Sequence, residues 1–187
     1  MKEKELLELL KMTGVIMKGH YLLTSGRHSA CFLQCSQLLQ YPDYAARICH
    51  DLTGPYRGKG VETVIGPAMG GVILSYEAAR ALGARAIFAE PNGGRMILKR
   101  GFRIKPEEKV LVVEDAVSTG GSVKKVLDLL KASDAEIVGV AIIIDRTAGK
   151  IDLGVPVTAL LSMHIESYAA EDCPLCLEGI SLQKPKG

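Results

Sequence analysis

No apolar run in this chain approaches the roughly 18 residues that a membrane-spanning helix requires. The opening stretch, MKEKELLELLKM, reads as a charged amphipathic helix and lacks both the apolar core and the small-residue cleavage site of a signal peptide, so a cytoplasmic protein is expected. Neither sign of charge prevails: 23 Lys and Arg stand against 21 Asp and Glu, a net charge of +2. No global field therefore draws in nucleic acid or an anionic membrane, and neither is expected as a partner. The five cysteines, at 31, 35, 49, 173 and 176, are an odd set without an export signal, which favours reduced thiols over a disulfide framework. A length of 187 residues, 48% of them hydrophobic, suits one domain with a full core and leaves little room for a second.

Two common phosphate-binding signatures are also missing. The chain's most ordered stretch, VLVVEDAVSTGGSVKKVLDLL from Val110 to Leu130, has neither the Lys placement of a Walker loop nor the GxGxxG of a dinucleotide fingerprint. What it has is a β-branched run, Val110 to Val113, reading as a central parallel strand, with Glu114 and Asp115 at its carboxyl end. Ser118, Thr119, Gly120, Gly121 and Ser122 follow, and then the helical pattern Val123, Val126, Leu127, Leu130. A phosphate there would meet free amides and the positive end of a helix dipole. Two acids beside that cradle would repel it unless they bind something else, and a ribose diol supplies two donor hydroxyls. The segment reads as a sugar-phosphate site; its plainer reading is a capped strand-to-helix turn.

A second strand, glycine loop and helix unit precedes it: Val61 to Ile65, then GPAMGG from Gly66 to Gly71, then a helix from Val72 to Leu82. Two such units in one small domain suggest an anion with two phosphorylated ends, although Gly70 and Gly71 also suit a tight helix entry. Glu3 to Met12 is a helix with leucines on one side, and Gly19 to Gln34 is a hairpin whose polar tip, Thr24 to Ser29, suits either a planar ligand or a plain surface turn. Pro42 opens another helix that runs to the Gly54 and Pro55 break. Strands at Ala84 to Ala89, Glu136 to Asp145 and Pro156 to Leu161 complete the alternation, which predicts an α/β fold with a mainly parallel sheet and a topological switch point between the two glycine loops. Glu90 to Phe102 carries Arg95, Lys99 and Arg100 among Gly and Pro breakers, as a mobile charged hairpin or a solvated loop. Arg146 closes its strand, to grip a planar carboxylate or to pair with Asp145. In the tail, Cys173 and Cys176 form a single CxxC, half a zinc site that only distant residues such as Cys31, Cys35 or a His could complete; no metal ligand is assigned from it. His164 and Glu166, two apart, read as local hydrogen-bonding residues, and His50 as a surface or packing residue.

VLVVEDAVSTGGS resembles the phosphoribosyl pyrophosphate (PRPP) signature of type I phosphoribosyltransferases. TSGRHSACF, from Thr24 to Phe32, is similar to KSGRxSPYF in the hood of orotate phosphoribosyltransferases, with Thr24 where many members carry Lys. GPAMGG is similar to GPAYKG, with Met69 and Gly70 replacing Tyr and Lys, and the segment at 90–102 resembles the GxMxLRRGF loop of a bacterial and archaeal branch. The resemblance runs from about Gly19 to Leu161. It implies a three-layer phosphoribosyltransferase fold with a five- to six-stranded sheet, divided into a hood at 1–40, a PRPP-binding core at 60–162 and a tail at 163–187. It implies Mg²⁺-dependent transfer of phosphoribose from PRPP to orotate, giving orotidine 5′-monophosphate in pyrimidine biosynthesis. Carried over by position, Glu114, Asp115, Ala116, Val117, Ser118, Thr119, Gly120, Gly121, Ser122, Ala68, Met69, Gly70 and Arg95 would bind PRPP, with Mg²⁺ held mainly by substrate and water. Ser118, Arg146 and Thr24 would bind orotate, while Lys99, Arg100 and Asp115 would act in catalysis. The loop at 90–102 would reach the neighbouring site of a homodimer. The alternatives are a purine or uracil phosphoribosyltransferase, or a PRPP-sensing regulator, which should show a basic face or an added helix-turn-helix.

Overall fold

The computed structural model describes residues 2–23 and 25–184. In chain order these form helix α1 (Glu3–Met12), strands β1 (Ile16–Leu22) and β2 (His28–Leu33), and helices α2 (Ser36–Leu39) and α3 (Pro42–Leu52). Then come β3 (Thr63–Pro67), α4 (Gly70–Leu82), β4 (Arg85–Asn92), β5 (Arg95–Ile97), β6 (Lys109–Val117), α5 (Gly121–Lys131), β7 (Glu136–Asp145), β8 (Val157–Ser162) and α6 (Pro174–Leu177).

Both faces of the main sheet are covered, and the residue numbers show how. Leu111, Val113, Ala141 and Ile143 face one cluster with α1, α3 and α4. Their neighbours Val110, Val112, Val140 and Ile142 face the other, with Val123, Val126, Leu127 and Leu130 of α5. Alternate residues of a strand point to opposite faces, so a strand apolar at every position needs a layer on each side. The order is β5-β4-β3-β6-β7-β8, with β5 antiparallel at the edge and the other neighbours parallel. This is the mainly parallel α/β sheet expected from the alternation, and its six strands fall within the five to six that the resemblance implies.

β3 and β6 lie side by side, but α4 carries the chain from β3 towards β4 while α5 carries it from β6 towards β7. The two strand-end loops therefore open a crevice between them, the switch point anticipated above. A separate antiparallel ribbon, β1 with β2, sits outside the sheet. One strand boundary differs from expectation. β6 continues through Glu114 and Asp115 to Val117, because β7 keeps pairing with it as far as Val117 against Asp145. The acids lie within the ladder rather than after it. α2 and α6, each four residues long, were not anticipated; neither is long enough to show a helical period.

Tyr56 ties the helical layer to the sheet. Its ring is 2% exposed and its hydroxyl donates to the Val140 carbonyl at 2.9 Å and reaches Thr158 Oγ1 at 3.1 Å. Tyr56→Phe keeps the ring and removes both contacts, so it should lower stability by about 1 kcal/mol. Urea unfolding checks this: the midpoint should fall with the slope unchanged.

Candidate active site at the switch point

Two connected hollows occupy the crevice. The larger, about 550 Å³, is bounded by Gln34, Cys35, Ser36 and Leu39 from the β2–α2 region, by Pro67 to Gly70 and Ile73, and by Glu114, Asp115, Ala116 and Ser122. The smaller, about 360 Å³, is formed by Glu114, the run Ala116 to Val123, and Lys125. Glu114, Ala116 and Ser122 belong to both, so a ligand with two anionic ends can lie along one continuous trench.

The trench exists because certain side chains are absent. A Cβ on Gly66 would stand 2.6 Å from the Gly71 carbonyl oxygen, and one on Gly70 would stand 2.8 Å from Asp115 Oδ2. The first glycine lets α4 begin directly against β3, and the second lets that loop close over the acid pair. The Ala68–Met69 peptide in this loop is cis. At the other loop Gly120 takes a left-handed φ of +74°, where a Cβ would also meet Leu153 Cδ2 at 2.9 Å. α5 then starts at Gly121, and its first-turn amides have no partner within the helix.

The acids are electrostatically uncomfortable. Burial raises the pKa of Glu114 well above the usual carboxylate range, and the adjacent Asp115 charge raises it further. Burial likewise raises that of Asp115. The Asp115 amide donates to Glu114 Oε1 at 3.2 Å and the Ala116 amide to Asp115 Oδ1 at 2.6 Å, but among the described residues neither acid forms an ion pair. Two adjacent carboxylates without a cation suit ligand hydroxyls, or a divalent ion shared with water and substrate oxygens.

Arg146 is half-buried beside the trench. Its amide donates to the Val117 carbonyl at 2.8 Å and its charge acts on Cys31 of β2, placing it between the ribbon and the phosphate-type loop. It does not pair with Asp145, whose carboxylate accepts instead from Thr147 Oγ1 and the Thr147 and Gly149 amides. Among the described residues Arg146 Nε is a buried donor without a partner, and burial depresses the guanidinium pKa.

The three loop cations are elsewhere. Lys99 and Arg100 both pair with Glu90, at 3.6 and 3.0 Å, and Arg100 also lies over the Phe88 ring. Arg95 is exposed at the Gly93–Gly94 turn. None of them borders the trench of its own chain, because the β4–β5 hairpin folds back on the sheet edge. Thr24 lies outside the described residues. Gln34, Ser36 and Lys125 border the trench without having been singled out; Lys125, three residues past Ser122, was the one legible from helical spacing. His50 is exposed beside Asp51, and Glu166 accepts from the Tyr168 hydroxyl.

Residues 37–169 match the family model described as the phosphoribosyl transferase domain. The chain is 46% identical over 185 residues to an orotate phosphoribosyltransferase of Desulforamulus reducens, covering 99% of this chain and 97% of that protein. It is 52% identical over 178 residues to one of Thermotoga maritima, covering 95% of each. Among solved structures, the fold matches orotate phosphoribosyltransferase from Aeropyrum pernix with a TM-score of 0.72 at 24% identity, over 84% of this chain and 93% of that one. It matches adenine phosphoribosyltransferase from Rhodothermus marinus with a TM-score of 0.67 at 22% identity, over 86% of this chain and 99% of that one.

The raised acids carry a stability signature. Above the ordinary carboxylate range the unfolded chain has lost a proton that the folded site still holds, so this pair's contribution to stability falls as pH rises through that window. Glu114→Gln cannot ionise and keeps the acceptor for the Asp115 amide. Its stability relative to the parent should therefore climb with pH from the acid range towards neutrality, by at most about 1.4 kcal/mol per pH unit for each proton involved. Urea midpoints of both proteins across that range check it.

Proposed function

The chain belongs to the phosphoribosyltransferase family, in its orotate branch, and from that premise we propose that it transfers the phosphoribosyl group of PRPP to orotate. The products are orotidine 5′-monophosphate and pyrophosphate, a step of pyrimidine synthesis. The observation that carries the choice of orotate is Arg146, a half-buried guanidinium whose Nε has no acceptor among the described residues, between the β1–β2 ribbon and the Val117 carbonyl. A planar carboxylate matches its fork. Adenine and hypoxanthine have no carboxylate to offer it, and the near-balanced charge gives no support to a nucleic-acid-binding regulator.

In this reading the 5-phosphate sits on the amides of Ser118 to Ser122 at the start of α5, with Lys125 nearby. Glu114 and Asp115 receive the ribose hydroxyls, which explains why two buried acids face a trench with no cation of their own. Ala68, Met69 and Gly70 present backbone to the pyrophosphate, on a loop that the missing Cβ of Gly70 lets close over Asp115. The acid pair is also where Mg²⁺ would be held, shared mainly with substrate and water, and its chemistry is neutralisation of phosphate charge. As the bond from ribose C1 to pyrophosphate breaks, the carbon gains positive character that the nearby carboxylates stabilise, and orotate N1 takes its place. As that bond forms the N1 proton of orotate leaves, to an oxygen of the departing pyrophosphate or to water, so this chain needs no strong general base of its own; Arg146 and Ser118, with Thr24, orient the ring.

Lys99, Arg100 and Arg95 belong, in this proposal, to the neighbouring subunit's reaction. They are held off their own trench by Glu90, and a homodimer would bring the 90–102 hairpin over the partner's departing pyrophosphate. The chain works as one domain, hood, core and tail together, in the cytoplasm; no helix among the described residues is long and apolar enough to cross a membrane.

Incubation with PRPP, Mg²⁺ and each of orotate, uracil, hypoxanthine and adenine should consume orotate alone, with pyrophosphate released. Arg146→Ala should raise KM for orotate at least about tenfold, the loss of one charge-assisted contact, with little change for PRPP. Turnover of a purine or uracil instead of orotate overturns the assignment. Lys99→Ala and Asp115→Asn should each be nearly inactive alone, and mixing the two proteins with subunit exchange should restore activity, since a mixed dimer holds one intact site. No recovery would place Lys99 in its own subunit's site.

A further inference from the structure

Outside the lining of the trench, four side chains with soft lone pairs converge on one point. His20 and His28 come from the β1–β2 ribbon, Cys173 and Cys176 from either end of the tail's CxxC. His20, His28 and Cys173 are 1%, 5% and 0% exposed, while Cys176 forms the outer side. All four potential ligand atoms lie within 4.8 Å of one another. His20 Nε2 stands 3.1 Å from His28 Nδ1, 3.4 Å from Cys173 Sγ and 3.7 Å from Cys176 Sγ, and Cys176 Sγ stands 3.3 Å from His28 Nδ1.

Hydrogen bonding alone does not account for this cluster. His20 Nδ1 lies 2.7 Å from the Ile180 carbonyl, an acceptor, so that nitrogen carries the proton and Nε2 presents a bare lone pair inward. One lone pair cannot serve three neighbours in three directions. A cation at the centre can serve all four. Zn–N bonds of about 2.0–2.1 Å and Zn–S bonds of about 2.3 Å in a tetrahedron give ligand separations of about 3.3–3.8 Å, close to those seen here. The Ile180 carbonyl then acts as the outer partner that fixes the ring's tautomer and orientation. Two thiolates and two neutral imidazoles compensate a divalent charge, and a tetrahedral S₂N₂ set selects zinc. The backbone is arranged to suit: the Cys176 amide bonds the Cys173 carbonyl at 3.1 Å, turning both sulfurs to one side.

We propose that His20, His28, Cys173 and Cys176 form a structural zinc site that staples the C-terminal tail to the β1–β2 ribbon. With every position filled by protein, the ion has no open coordination for substrate. A two-stranded ribbon is marginal by itself, and the tail already holds it through the Leu22 amide to Gln183, the Gln183 amide to His20, a two-way exchange between His28 and Tyr168, Ser29 Oγ to the Glu166 carbonyl and Arg27 to Ser167. A metal joining residues 156 apart closes a long loop and adds a stronger tie to that set. It also fixes both ends of the Leu23–Arg27 turn. Binding displaces the two thiol protons to solvent and requires no redox step.

The test is metal content and spectroscopy on the full chain purified under reducing conditions and reconstituted with zinc alone. Stoichiometric zinc should survive gel filtration. Cobalt in its place should give thiolate-to-metal charge transfer and the intense visible bands of a tetrahedral site. Cys176 is exposed, so Cys176→Ser should leave the core folded yet lose most of the charge-transfer intensity, and the Cys173→Ser, Cys176→Ser pair should lose the metal. Chelation should lower the melting temperature of the parent reversibly and leave the double variant unchanged. Trace metal only, with no cobalt spectrum in the reduced parent, overturns the proposal; so does stoichiometric zinc in the double variant, or a Cys173–Cys176 disulfide in protein kept under reductant.

Discussion

Asp115 and Gly70 meet across the gap between two parallel strands, and the active crevice depends on that meeting. β3 and β6 are neighbours whose helices leave in opposite directions, so the loops at their ends face each other across a crevice. The loop from Gly66 to Gly71 closes over the acids because neither Gly66 nor Gly70 carries a Cβ; one methyl group would fall 2.8 Å from the Asp115 carboxylate. The acids can stand there, buried and mutually repelling, because the sheet around them is held on both faces by apolar layers. The site's electrostatic cost is carried by the core, a common relation between stability and function.

The arrangement explains why the chain's cations are distributed as they are. A Lys beside the acids would pair with Glu114 or Asp115. Instead Lys99 and Arg100 rest on Glu90 at the sheet edge, Lys125 stands behind the phosphate-type loop, and Arg146 sits beside the ribbon. Among the described residues Lys125 is the cation that lines the trench, and Glu114, shared by both hollows, and Asp115 are the acids that line it. The ribbon that flanks Arg146 lies outside the main sheet, and the histidine and cysteine cluster is placed where it can tie that ribbon to the tail.

Much of the scaffold was legible in local patterns. The α1, α3 and β7 limits follow from leucine spacing, from Pro42, and from an unbroken apolar run, and the switch point follows from two glycine loops in one small domain. The acid pair and the Ser118 to Ser122 loop were readable because a strand, a loop and a helix start are contiguous in sequence. The end of β6 was misplaced by four residues, since pairing with β7 decides where a ladder stops and no local signal reports it.

What the sequence determined by itself is therefore the chemistry carried on short continuous segments: the PRPP-type motif, the glycine loops, the charged hairpin and the alternation that makes the sheet parallel. Tertiary structure alone decided which distant residues meet. Arg146 could have paired with Asp145; it does not, because Thr147 and Gly149 saturate that carboxylate. Cys173 and Cys176 could have been completed by Cys31, Cys35 or a His, and it is His20 and His28 that meet them. The physical reason is the same in both cases. Side chains more than a hundred residues apart, or competing for one acceptor, are brought together by the path of the backbone through a packed core, and that path is not written in any short stretch of residues.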